Sequence, residues 1–470
     1  MTGSQVILGV ALLSFPIAGT LSQDLQHLSE ARLILREAGK LVPQMEEVEQ
    51  PSAASNIAGQ QVRAGDLAGA LETVRSVKQE RGSGPPLGLG YHGLAWALSH
   101  RGAWQAAVHL IRDLPDGDSK AIDYLGIVYE LAAQKDFEHA LSAARMIQTI
   151  PHAVSRFADS LVEISNQQFK AGDRGAAGAT LREAFDAVER AQKDAGQPGF
   201  NAAQWYAWTV RSLASAGNSE AASLAMGQLY SVATQEKRSP QDWGLLKLVT
   251  ASQARLGDFA AALLSAGQLP AGEHRDAALL SIATEMAAQG DTAGAQRIAG
   301  EVPAKSWSNA EIGDLANAFA SSGDSVGALE TLKRIQAPED RAYALALLAL
   351  QLVLQPAERK NGFAWLTAVL AMEDALSGGD AVNPFVFEAI AVMRGTLGDL
   401  SGALQIIDSL KDANKVWPLW NITKQLVAAG KKNEALTLAR AQEAPRARGF
   451  ALLGTATALL EQVEADSNHK

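Results

Sequence analysis

A two-residue junction recurs ten times along the chain: Gly65-Asp66, Gly102-Ala103, Lys135-Asp136, Gly172-Asp173, Gly217-Asn218, Gly257-Asp258, Gly290-Asp291, Gly323-Asp324, Gly398-Asp399 and Gly430-Lys431. Each separates two stretches in which apolar residues return every three or four positions, the spacing that lays a stripe along one side of a helix. Glycine at such a point supplies the left-handed backbone that helix ends favour, and the acid after it can accept from the first free N–H groups of the next helix. Arg275 to Pro303 shows one complete unit: an apolar stripe through Ala278, Ile282 and Met286, the Gly290-Asp291 junction, a second helix over 292–299, and a proline that no helix can continue through.

The gaps from 257 to 290 and from 290 to 323 are both 33 residues, and the 75-residue gap from 323 to 398 has room for a hidden copy near Asn361-Gly362. A period of this length with two helices per unit means a solenoid, because one helix pair cannot bury its own stripe and must stack on its neighbours. The expected fold is therefore all-α: an α-solenoid, or superhelix, of about ten antiparallel helix pairs forming a continuous rod. Residues 21–50 read as N-terminal capping helices broken near Gly39 to Pro43, 51–463 as the solenoid with a last helix at 451–463, and 464–470 as a disordered tail. Three longer connections, Gln192 to Phe200, Gln235 to Asp242 and Ser377 to Pro384, read as surface insertions.

Charge bears on partners. Acidic residues outnumber Lys and Arg 51 to 41 and the net charge is −10, whereas binding nucleic acid in general demands clustered cations against phosphate. No nucleic acid is expected as a partner. The sequence has no cysteine, which excludes disulfides, thiolate metal sites and a cysteine nucleophile. Residues 1–20 contain an apolar run, Val6 to Ala18, followed by small residues, and so resemble a signal peptide, although no Lys or Arg precedes it. Export to a periplasmic or secreted location is the expectation, or a cytoplasmic one if the segment is not a signal; the run is too short for a comfortable membrane span.

The junction segments resemble those of the tetratricopeptide repeat family. Lys135 to Leu141 (KDFEHAL), Gly257 to Leu263 (GDFAAAL) and Gly323 to Leu329 (GDSVGAL) look like its central turn with a small residue four places after the acid, and Ile282-Ala283 with Met286, and Leu315-Ala316 with Phe319, stand at its upstream positions. The resemblance covers residues 50 to 460, though many copies lack the large aromatics and the closing proline comes early. It implies a right-handed superhelix whose first helices line a concave groove that binds peptides or protein segments.

Motifs of catalysis do not find their scaffold. Gly323 to Gly327 spells G-x-S-x-G, but that nucleophile elbow needs a strand before it, and here a helix pattern precedes. Gly88 to Gly93 spells G-x-G-x-x-G with no strand before it and no βαβ unit. The acids Asp113, Asp116, Asp118 and Asp123 lack EF-hand spacing. No enzyme activity, cofactor or metal is expected.

A row of cations, Lys120, Arg156, Arg275, Arg341 and Arg448, opens successive first helices, where a positive charge opposes the helix dipole. Each is expected to bridge to the carbonyl end or a carboxylate of the preceding unit. Nine tryptophans supply the sharper clue to a binding surface. From Tyr91 to Leu98 the core spacing takes Tyr91, Leu94, Ala95 and Leu98 and leaves His92 and Trp96 on an adjoining face. In the same phase Tyr129, Arg211, Lys247, Asn317, Trp420 and Lys424 fall in the row that faces the groove in the resembled family. These eight are the candidate partner-binding residues, with packing between units as the competing role. Two functions stay open: a non-enzymatic scaffold for a peptide or protein segment, or an accessory solenoid that recognises a glycan or other polymer through Trp96, Trp205, Trp208, Trp417 and Trp420.

Overall fold

The computed structural model describes residues 21–77, 87–112, 117–193, 201–235, 243–354, 364–370 and 384–468. The Asn361-Gly362 copy, the signal-like segment and nearly all of the three longer connections lie outside the described residues. Within them the chain is all-α, with no strand.

The first helices of the repeats are α2 (Gln50–Arg63), α4 (Leu87–His100), α6 (Asp118–Ala133), α8 (Val154–Lys170), α10 (Ala202–Ser215), α12 (Trp243–Arg255), α14 (Glu273–Ala288), α16 (Asn309–Ser321), α18 (Pro338–Leu354), α20 (Pro384–Thr396), α22 (Asp412–Ala428) and α24 (Pro445–Asn468). Between them run the second helices: α3 (Leu67–Arg75), α5 (Trp104–Arg112), α7 (Phe137–Gln148), α9 (Arg174–Lys193), α11 (Ser219–Gln235), α13 (Phe259–Gly267), α15 (Thr292–Glu301), α17 (Ser325–Leu332), α19 (residues 364–370), α21 (Leu400–Ser409) and α23 (Lys432–Arg440). The remaining helix, α1 (Leu21–Gly39), precedes them all.

Every one of the ten junctions has the same backbone. The nine glycines and Lys135 have positive φ, from 65° at Lys135 to 94° at Gly398. At each, the next residue's N–H returns to the carbonyl five residues earlier, as Asp291 N does to Met286 O at 2.9 Å, which closes the first helix in a Schellman turn. The aspartates then cap: Asp66, Asp136, Asp258, Asp291, Asp324 and Asp399 each accept from the N–H three residues on. Ser325 is thus the opening residue of α17 behind a helix, not a nucleophile on a strand-to-helix turn.

The row of cations bridges backwards as expected. Arg275 donates to Leu269 O and Gly267 O, Arg341 to Ile335 O, Arg448 to Gln442 O and Lys120 to Arg112 O, while Arg156 pairs with Asp118 at 3.0 Å. The carbonyl ends of the preceding second helices supply the compensating negative potential.

Consecutive first helices pack on one another from α2 through to α24, and each second helix packs on first helices rather than on its fellows, apart from a small contact of α3 with α1. The layer of mutually touching helices occupies the smaller circumference, so the first helices form the inner wall. The two ends then meet. Helix α1 packs along α24 as a second helix packs along its own first helix, and α24 also touches α2. One buried cluster holds Ala31, Leu35 and Ala38 together with Ala451, Leu452 and Leu459. Four ion pairs cross the same seam: Glu30–Lys432, Glu37–Arg440, Glu49–Arg446 and Glu464–Arg63.

Among the described residues the solenoid therefore returns on itself as a closed ring of twelve first helices, the twelfth pair being made by α24 and α1. This differs from a rod with two separate caps. Only a short 3-10 turn at Val42–Gln44, not a second helix, follows α1 before α2 begins. Residues 464–468, expected as tail, continue α24, and Glu464 is held by Arg63.

A candidate interaction surface on the inner wall

A first helix is covered by the helices before and after it and by its second helix, which leaves one stripe free. Counted back from the turn residue, the free positions are about thirteen, nine, six and two residues earlier, the repeat of a helix that shows a single face. On α6 these are Ile122, Gly126, Tyr129 and Ala133; on α10, Gln204, Trp208, Arg211 and Ser215; on α16, Ala310, Asp314, Asn317 and Ser321. All are exposed or half-buried.

Large apolar groups stand on this stripe. Trp96 is 43% exposed, Trp208 41%, Tyr129 38%, Tyr343 38% and Leu347 46%, far from the full burial such side chains reach in a core. Trp96 is steadied by stacking on His100, whose Nδ1 lies 2.7 Å from Glu130 Oε1. Gln134 closes this corner by donating to the Ser99 and His100 carbonyls.

Of the eight sequence-derived candidates, Trp96, Tyr129 and Arg211 are exposed, Lys247, Asn317, Trp420 and Lys424 are half-buried, and the His92 side chain lies outside the described residues. Lys424 is engaged: its Nζ meets Glu461 Oε1 at 2.6 Å and sits over the Trp420 ring. Arg211 has no ion-pair partner among the described residues. The tryptophans offered for polymer recognition separate further. Trp205 is buried and its indole N–H donates to Asp159 at 2.9 Å, and Trp417 stacks on Phe385, which in turn contacts Tyr343. Only Trp96 and Trp208 of that set are freely presented.

Asp159 is the most perturbed acid on this wall. Burial pushes its carboxyl up to about 6, against the opposing hydrogen bond from Trp205 and the charge of Arg156, 3.8 Å away. Tyr129 beside it is pushed up to about 12, by burial first and then by the charges of Asp159 and Glu163. The partners of Asp159 account for it as a group that positions Trp205. No cluster of three or more metal-ligating side chains occurs among the described residues. Asp123 is buried and Asp118 is paired with Arg156, and the other two acids of that segment lie outside the described residues.

Sequence reasoning passed over Tyr343 and Leu347. They lie on α18, after which no Gly–Asp junction gives a register to count from. They border a cleft of about 430 Å³ between α16 and α18, lined also by Asn309, Asp314, Asn317 and Asp340.

No protein-family model matches the sequence, and no curated protein matches it. Among solved structures the chain is similar to Ton1535 from Thermococcus onnurineus NA1 (16% identity, 78% of this chain and 98% of that one, TM-score 0.28). It is also similar to the pentatricopeptide repeat protein PPR10 from maize (13% identity, 88% and 68%, TM-score 0.34). A third is a circular tandem repeat protein with novel repeat topology (14% identity, 95% and 99%, TM-score 0.18). None of the three is similar enough for its function to bear on this chain.

Proposed function

We propose that the chain is a non-enzymatic interaction scaffold, built of tetratricopeptide-like repeats, that holds a peptide or protein segment against the inner wall of its ring. The observation that carries this reading is the uncovered stripe of the first helices, where Trp96, Tyr129, Trp208, Tyr343 and Leu347 keep large apolar surfaces in solvent. Of the five exposed aromatic side chains among the described residues, four, Trp96, Tyr129, Trp208 and Tyr343, stand on first helices, and aromatic anchors dominate the energy of most binding surfaces.

Size narrows the mode of binding. Twelve helices at a spacing of about 9 Å give an axis circle roughly 34 Å across, and subtracting a helix thickness of about 11 Å leaves a lumen of roughly 23 Å. A single bound helix or extended segment fills less than that. It lies along one part of the wall and does not plug the hole.

The test places a photo-crosslinking residue in place of Leu347 or, separately, of Leu264 on the second helix α13, which is more open to solvent. Peptides selected from a random library for binding the native protein are expected to crosslink through position 347 and not through 264. Equal crosslinking at both would refute inner-wall recognition. We infer export from the apolar Val6 to Ala18 run alone; protein recovered from the cytoplasm at steady state with that run intact would refute it.

A further inference from the structure

The cleft between α16 and α18 is both hollow and acidic. At this step α16 presents Ala310 and Gly313, and a methyl group added at Gly313 would meet nothing within 4 Å. Two carboxylates border the hollow. Asp314 is exposed on α16, Asp340 lies in the first turn of α18 and accepts from Asn309 at 2.8 Å, and neither has an ion-pair partner among the described residues. Arg341, adjacent to Asp340, points away to the Ile335 carbonyl. The lining contains no lysine or arginine.

Two further features point to an occupant. The Asn317 Oδ1 atom is buried without a hydrogen-bond partner among the described residues, an acceptor that a donor entering the cleft would satisfy. Tyr343 and Leu347 form an apolar side next to the carboxylates. A hollow with acceptors at one side and an aromatic ring with an aliphatic neighbour at the other matches a side chain that is a cation on an apolar stem. The charged head meets carboxylates and the ring face, while the stem covers carbon.

We propose that this cleft is a specificity pocket for one basic side chain, Lys or Arg, of a peptide segment held in the ring. The proposal rests on the inner-wall reading above and names the partner's chemistry. An acidic or purely apolar residue at the same place is refused, the first by repulsion and the second because Asn317, Asp314 and Asp340 would lose water without gaining a donor.

The experiment pans a random peptide library on the native protein, on Gly313→Leu, and on Asp314→Asn/Asp340→Asn. At 313 the first carbon of a side chain meets nothing within 4 Å, so leucine there extends into the hollow and leaves the net charge unchanged, and it replaces a mid-helix glycine; melting curves of all three proteins check that the fold is kept. The native pool is expected to be enriched in Lys and Arg, with about a tenfold loss of affinity for selected peptides in both variants. Basic enrichment that persists in Gly313→Leu would trace it to overall charge and overturn the pocket. A native pool that crosslinks through position 347 without basic enrichment would also overturn the pocket and leave the inner-wall reading standing. Failure to select any peptide would remove both.

Discussion

Lys135 holds a φ of 65° at a junction where nine other copies place glycine. A side chain in left-handed backbone costs about 1–2 kcal/mol, and glycine gives back part of that through its looser unfolded state. Lys135→Gly is expected to stabilise the protein by about 0.5–1 kcal/mol in urea unfolding, whereas Gly290→Ala at φ 92° is expected to destabilise it by at least as much. Asp159 sets a second expectation. Its carboxyl is raised by burial to about 6 from an unfolded value near 4, so the folded state binds the extra proton between those values. Stability from this group is present at low pH and is lost as pH rises through about 6. Asp159→Asn is expected to flatten the slope of unfolding free energy between about pH 4 and pH 6.5, and an unchanged slope would show that burial does not govern this carboxylate. The junctions were legible because left-handed backbone and capping aspartates write themselves into two adjacent residues. Asp159 was not, since its shift comes from burial that no local spacing specifies, and its hydrogen-bond partner Trp205 stands 46 residues away.

At the level of helices, the closeness of neighbouring first helices is decided by single glycines. A methyl group at Gly93 would lie 2.2 Å from the Ser55 carbonyl oxygen of α2, and one at Gly454 would lie 2.2 Å from the Trp420 carbonyl oxygen of α22. Both neighbours are backbone and have no side-chain freedom to yield. Gly93 was visible in the sequence only as the last member of a nucleotide-binding fingerprint; its structural work is to let α4 lie against α2, where its N–H reaches Ser55 Oγ at 3.0 Å. Gly93→Ala and Gly454→Ala are each expected to cost about 2–3 kcal/mol, the scale of overpacking. Gly178→Ala in α9 and Gly227→Ala in α11 meet nothing within 4 Å and are expected to stabilise by up to about 1 kcal/mol through helix propensity. Thermal unfolding of the four variants separates packing from propensity. The apolar periodicity that revealed each helix could not give the inner stripe as cleanly. Trp420 and Lys247 stand ten residues before their turns and sit at its margin, while Trp208 at nine stands fully on it, a difference of about 100° around the helix.

For the whole molecule the question is what closes the ring. The four ion pairs at the seam include exposed groups, such as Arg440 at 54% and Glu464 at 51%, and pairs of that kind contribute about 0–1 kcal/mol each. The apolar seam is larger: Ile34, Leu35, Leu452, Leu453 and Leu459 are all buried there, and each such side chain contributes about 1.5–3 kcal/mol. Burial therefore holds the ring and charge aligns it. The sequence carried a sign of this that junction counting obscured. Among the described residues α1 is a helix without a first helix of its own and α24 is a first helix without a second, so the two are unpaired halves of one repeat unit. Whether two such halves meet depends on the summed rotation of all intervening units, which no local pattern specifies. Because the chain has no cysteine, labels can be placed at Leu33 and Asn433 alone, the former 66% exposed. Energy transfer between them is expected to persist in about 1 M salt, where screening removes the exposed pairs, and to collapse in Leu35→Asp, which puts a charge into the seam. If salt alone separated the labels, the ring would be an electrostatic clasp, and the ends would exchange hydrogen as fraying termini do instead of being protected like α8 in the middle of the array.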